Sequence, residues 1–268
     1  MKVDRPAEEK PNRYSITAVE KALDVLEALS EHDSLNLLEL VDILKQPKSS
    51  LFRTILTLES RGYIARSEDT GKYCLGYKHL VLTKKLLENS SLRSCAVQEM
   101  KLLVDKYGDT VNLGVIDDNH VLYVEIIEGT HSLRMNESVG STGPLHATAI
   151  GKCMLAYLPD SEVSRLIEQL ELAPVTPNTI TDRDRLRAEL QRIKETGYAV
   201  DRQEAVQGAK CVAAPIFNIK GRIEGAISIS GALHRFPDDK IPDIARDVRT
   251  AARQASLKLG FTDYPEIQ

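Results

Sequence analysis

The chain has 268 residues, 42% hydrophobic and 28% charged, with a net charge of −4, an ordinary globular mixture with room for two domains. No apolar run is long enough to cross a bilayer as a helix, and four scattered cysteines without a C-x-x-C pair argue against a zinc ribbon and suit a reducing cytoplasm. The balance argues against a uniformly basic nucleic-acid coat, yet charge is segregated: five Lys/Arg stand against ten Asp/Glu from Met1 to Ile43, and seven against three from Leu44 to Lys78. A short domain with a DNA-facing and a solvent-facing side requires such a split.

Residues 1–13 are polar and mixed in charge, which reads as a disordered lead-in rather than a targeting segment. "SITAVEKALDVLEALSEHD" then predicts an amphipathic helix with Ser15 as N-cap, because Val19, Ala22, Leu23, Leu26 and Leu29 recur at spacings of three and four. A second helix opens at Asn36, with Glu39 three residues on in a capping-box arrangement. "KQP" breaks it. "PKSSLFRTILTLESRGY" predicts a third helix, with Pro47 in its first turn and Gly62 beyond its end. Two helices joined by such a short turn form a helix-turn-helix. "YIARSEDTGKYCLGY" adds a hairpin, the wing.

On the third helix Lys48, Ser49, Ser50, Arg53 and Thr54 fall in the first two turns, while Leu51, Ile55 and Leu58 point to the core. Basic and hydroxyl side chains at that end suit phosphate and base-edge contacts, and Arg66 and Lys72 would supply the wing's contacts. Spacing alone also admits a protein-interaction module in which Lys48 and Arg53 are merely solvated.

A linker helix is expected over 78–90, and "LRSCAVQEMKLLVDKYG" predicts another helix, ending at Gly108. Beyond it the chain reads as strand, Asp-Asn turn, strand and a shorter strand, through "HSLRMNESV". Helices follow over "HATAIGKCMLAYL", "DSEVSRLIEQL" and a segment capped by Thr181 and stopped by Gly197. Two β runs flank "NIKGR", and a last helix spans about Asp238 to Leu259. This order predicts an α+β domain with a mainly antiparallel sheet.

"GSTGPLHATAIGKC" is a near miss for a phosphate-binding P-loop. His146 stands where the first glycine is needed, and Cys153 replaces the magnesium-binding hydroxyl. The loop leads into a helix, so its amides near Thr148 and Ala149 would suit a carboxylate, with Gly143, Ala147 and Ala149 leaving room beside the backbone. On residue types alone it is as readily a tight turn.

"AVEKALDVLEAL", "PKSSLFRTILTLESRGYIAR" and "GKYCLGYKHL" resemble the winged helix-turn-helix of the IclR family of bacterial transcriptional regulators. "GPLHATAIGKCMLA", "GYAVDRQEAVQGAKCVAAPIF" and "AISISG" are similar to that family's GAF-like effector domain. "LKQPKSS" departs from the pattern, which commonly carries a glycine in the turn. The resemblance implies a two-domain α+β protein: a winged helix over 14–77, the linker over 78–90 and an effector-binding, oligomerising domain over 91–262. It implies a regulator of a catabolic or metabolic operon, with repression the favoured sign. It further implies a palindromic double-stranded operator, a dimer or dimer of dimers, and no cofactor beyond a small anionic effector, a carboxylate.

Carried over by position, the resemblance implies effector contacts at Met135, Ala149, Ile150, Asp201, Cys211, Ser228 and Ser230. Amides of Ala149 and Ile150 would donate to the carboxylate. Asp201 would accept from a ligand hydroxyl or cap a turn; Cys211 is apolar lining or a thiol, and Met135 an adaptable wall. Ser228 and Ser230 alternate with Ile227 and Ile229, so both hydroxyls share one face; if buried they need partners, and if outward they are a solvated edge.

An enzyme is disfavoured. There is no G-x-S-x-G, no H-E-x-x-H and no metal-ligand spacing among six scattered histidines. His146 reads as a loop or core residue.

Overall fold

A computed structural model describes residues 16–82, 91–131 and 137–265, and the chain divides into two compact units, within 1–89 and 90–268. Ser15, residues 1–13, the linker beyond Leu82 and Met135 lie outside the described residues.

In the first unit α1 (Thr17–Ser30), α2 (Leu37–Leu44) and α3 (Lys48–Ser60) close on a core of Val25, Leu29, Leu40, Leu51, Ile55 and Ile64. The first residue outside α1 is Ile16, which makes no side-chain cap. The Asn36 box forms in full: its side chain accepts from the amides of Leu38 and Glu39, and its own amide donates to the Glu39 carboxylate at 2.6 Å. Such a cap contributes about 1 kcal/mol. The turn that lacks a glycine is made by Lys45 in the left-handed region, φ 52°. This conformation carries a Cβ penalty, relieved here by its amide bonding to the Val41 carbonyl. The wing pairs β1 (Ile64–Arg66) with β2 (Tyr73–Leu75), and buried Tyr73 also bridges to Leu35. A helical run begins at Lys78 and is described as far as Leu82.

The second unit begins with α4 (Ser91–Tyr107). β3 (Thr110–Asp117) and β4 (His120–Ile127) follow, joined through Asp118 and Asn119 at φ 39° and 68°, the two left-handed residues of a tight hairpin. Next come β5 (Thr142–Pro144), α5 (Ala149–Ala156), α6 (Asp160–Gln169), α7 (Arg183–Thr196), β6 (Ala199–Arg202), β7 (Ala209–Phe217), β8 (Ile223–Ala232) and α8 (Ile241–Lys258). The strands form one antiparallel sheet in the order β5-β4-β3-β8-β7-β6. α4 and α8 cover one face through Val111, Val212, Ile227 and Ile229; α5, α6 and α7 cover the other through Tyr123, Ala149, Ile150, Cys211 and Ala226. Helices cover both faces, so β7 is buried along its whole length.

Three sequence expectations change. The N-cap of α7 is Asp182, not Thr181: its carboxylate takes the Arg185 amide at 2.8 Å. The short strand expected in "HSLRMNESV" falls largely outside the described residues, and the short strand present is β5, inside the stretch read as a loop. β6 was not foreseen; three of its four residues are buried, so it shows no alternation.

Candidate functional site

The helix-turn-helix presents its N-terminal α3 residues outward. Lys48, Ser49 and Arg53 are exposed, while Ser50 and Thr54 are half-buried. The Ser50 hydroxyl accepts from the Lys21 ammonium at 3.2 Å, and Thr54 donates to the Ser50 carbonyl. These two brace α3 against α1 and along its own turn, whereas Lys48, Ser49 and Arg53 remain available outside. In the wing Arg66 folds back, its Nε donating to the Gly71 carbonyl while the guanidinium lies over the Tyr73 ring at 5.7 Å. Lys72 reaches Glu39 of α2 at 3.4 Å. That exposed pair contributes little stability but holds the wing's cation beside the helix pair.

The second site grows from register. Asp201 stands opposite Cys211, Cys211 opposite Ser230, and Ser230 opposite Thr110, a row crossing β6, β7, β8 and β3. One step along, Ser228 lies between Ala213 and Asn112. Cross-strand partners share a face, here the face covered by α5. All are buried: Ser228 is 2%, Ser230 5% and Asp201 1% exposed. Asn112 donates to the Ser230 hydroxyl at 3.0 Å, and its Oδ1 has no partner among the described residues. A buried acceptor without a donor is expensive and asks for an occupant.

α5 closes over this row. Thr148 caps it, accepting the Gly151 amide at 3.1 Å and donating to the Pro144 carbonyl. The amides of Ala149 and Ile150 lie in the first turn, where no intrahelical acceptor exists. Gly143 does not leave the open space expected of it: a Cβ there would meet the Thr148 methyl at 3.1 Å and the Tyr123 hydroxyl at 3.3 Å. Tyr123, on β4, thus brings a phenol to the start of α5. Burial pushes it far above its ordinary ionisation range, with the Glu137 carboxylate adding to the effect. Glu137 is itself raised by burial, and its Oε2 finds no partner among the described residues. Burial also raises the Cys211 thiol, so it is protonated lining rather than a nucleophile.

Asp201 holds a turn. Oδ1 accepts the Glu204 amide at 2.6 Å and, more weakly, the Ala205 amide, so it holds the turn after β6; burial raises the carboxyl to about 7. Behind it Lys152 of α5 is wholly buried, bonded to the Val200 carbonyl at 2.9 Å, ion-paired with Glu204 and 3.8 Å from Glu189. The Gly-Lys pair that suggests a phosphate loop is therefore a clamp between α5 and β6. His146 is a core residue: its ring meets the Ala173 carbonyl at 3.0 Å, and burial lowers its pKa.

Sequence reading missed Asn112, Tyr123, Glu137 and Thr110. Asn112 and Thr110 carry a usable signal, polar residues inside an apolar strand. Tyr123 carries none, because a tyrosine in a strand is ordinary. Among the described residues no group of His, Cys, Asp and Glu could hold a metal, and no helix is long and apolar enough to cross a membrane.

Two family profiles match the chain. The IclR helix-turn-helix domain covers residues 18–68, and the domain described as bacterial transcriptional regulator IclR C-terminal covers 84–257. The chain is 32% identical over 251 residues to the HTH-type transcriptional regulator KdgR of Escherichia coli, covering 94% of this chain and 95% of that protein. It is 34% identical over 244 residues to the HTH-type transcriptional regulator KipR of Bacillus subtilis, covering 91% and 97%. The crystal structure of the Thermotoga maritima IclR superposes with a TM-score of 0.78 at 30% identity, covering 92% of this chain and all of that one. With a winged helix-turn-helix in one unit and a two-faced antiparallel sheet in the other, each matched by its own profile, the chain belongs to the IclR family of bacterial transcriptional regulators.

Proposed function

We propose that this regulator is a cytoplasmic repressor of a catabolic or metabolic operon, and that a small hydroxylated carboxylate controls it from the second unit. The observation that carries the ligand reading is the buried Asn112 Oδ1, unpartnered among the described residues and set beside Ser228 and Ser230, with Asp201 on the same face of the sheet beyond β8 and β7. In this reading the ligand's carboxylate takes the amides of Ala149 and Ile150, which suit an anion. Its hydroxyls donate to Asn112 and to the Asp201 and Glu137 carboxyls. A simple carboxylate without hydroxyls would leave the Asn112 and Glu137 oxygens without donors.

In the first unit Lys48, Ser49 and Arg53 read the operator, with Arg66 and Lys72 on its backbone. The chain acts as a homo-oligomer on a palindromic site, and the ligand has unequal affinity for the operator-bound and free arrangements. It leaves unchanged, since the chain binds it without catalysis. Selection of fragments from a random duplex pool, then titration with and without a panel of small hydroxy acids, tests this. A palindrome whose affinity falls with salt and shifts with one acid supports it; an operator affinity that no acid moves removes the ligand half of the reading.

A further inference from the structure

α3 carries two large apolar side chains that the core does not use. Phe52 is 42% and Leu56 45% exposed. At four residues apart they lie side by side on the helix. At 100° per residue the core line of Leu51, Ile55 and Leu58 lies opposite Ser49, Arg53, Leu56 and Ser60. Leu56 is therefore on the outermost line, two turns from Ser49 and one from Arg53, and Phe52 flanks it toward Lys48. All of Lys48, Ser49, Phe52, Arg53 and Leu56 are exposed.

Side by side, the two leave a contiguous apolar strip on a face otherwise made of polar and basic residues, the kind of patch that marks an interaction site. The surroundings decide the partner. The stretch from Leu44 to Lys78 holds seven Lys/Arg against three Asp/Glu, which suits a polyanion. The apolar feature that duplex DNA offers in its major groove is the thymine C5 methyl, and side chains such as Ala, Thr and Phe meet it by apolar contact.

We infer that Phe52 and Leu56 are specificity-determining residues that read thymine methyls in the operator, beside the polar contacts of Ser49 and Arg53. This rests on the DNA-reading role of α3 stated above. Phe52, nearer the N-terminus that enters the groove, contacts the more central thymine of each half-site, and Leu56 an outer one.

The test uses the duplex recovered by selection and a set of derivatives in which each thymine in turn is replaced by deoxyuridine, removing only the methyl. Wild-type protein should lose about four-fold in affinity at one or two positions, the fold-change equivalent to one buried carbon at ~0.8 kcal/mol. Phe52→Ala should bind the parent duplex more weakly and be indifferent to deoxyuridine at its own position, while Phe52→Leu keeps part of the sensitivity. Leu56→Ala should lose sensitivity at the other position. Both side chains are outside the core, and a thermal melt verifies that the variants fold. Wild-type binding that no deoxyuridine weakens, or a Phe52→Ala variant with undiminished sensitivity everywhere, overturns the inference while leaving DNA reading intact. Folded wild type that binds no duplex overturns the DNA-reading role and the inference together.

Discussion

Asp201 and Cys211 face each other across the β6–β7 pair, both almost wholly buried, and the Asp201 carboxyl is raised by burial to about 7. An unfolded aspartate ionises near ~3.9. Between those values the folded chain holds a proton the unfolded chain has lost, so stability falls as pH rises through that window and levels off above it.

Asp201→Asn keeps the acceptor for the Glu204 amide and removes the ionisation. Its stability relative to wild type should climb with pH by up to ~1.4 kcal/mol per unit between about pH 4 and about pH 7, then stay constant. Urea unfolding of both proteins across this range measures it; a difference independent of pH would sink the assignment.

Lys152→Met should be severely destabilising, by about 3–5 kcal/mol, because it strands a buried partner. Glu204 is 5% exposed and already has one oxygen without a partner among the described residues, and the Val200 carbonyl loses its donor as well. Adding Glu204→Gln should recover much of the loss in equilibrium unfolding. A double variant no better than Lys152→Met would mean that packing volume, not charge, is what matters.

Gly151→Ala would set a Cβ 2.6 Å from the Leu145 Cα and against its carbonyl. Backbone cannot yield as a side-chain tip does, so the start of α5 must move. The expected outcome is about 1–3 kcal/mol of lost stability together with lost hydroxy-acid binding. Calorimetric titration on the folded variant distinguishes the two, and full ligand affinity in the variant would argue against a site at the α5 N-terminus.

Arg53→Ala should cost about 1–3 kcal/mol in operator binding and relax preference at one base pair if its guanidinium reads a base edge. Lys72→Ala should instead weaken all sequences evenly and reduce the salt slope by about one, since its ammonium is set by Glu39 at the wing rather than on α3. Affinities over a salt series for parent and mutated operators separate the two patterns.

Local features of this protein are written in short stretches of chain. The Asn36–Glu39 box, the Gly197 stop and the Asp118–Asn119 turn each depend on residues within a few positions, and all form as the sequence predicts. The two-residue period of "AISIS" puts Ser228 and Ser230 on one face whatever the sheet around them. A three-residue strand such as β5 has no period to read. Lys45, a lysine in a left-handed turn, belies its residue type because the fold on either side over-determines it.

The assembly of the candidate site depends on contacts across long sequence separations. Asn112 meets Ser230 over 118 residues, and Lys152 meets Glu204 over 52. Nothing within either neighbourhood names its partner. The strand order sets β8 between β3 and β7, and that order follows from which apolar faces can be buried together. Burial then turns ordinary polar residues into costly ones, raising Asp201 and leaving Asn112 Oδ1 unmatched. Helices and turns are therefore legible from spacing, because short-range geometry makes them. Register, burial and electrostatics belong to the packed sheet, because they arise where distant segments exclude water together.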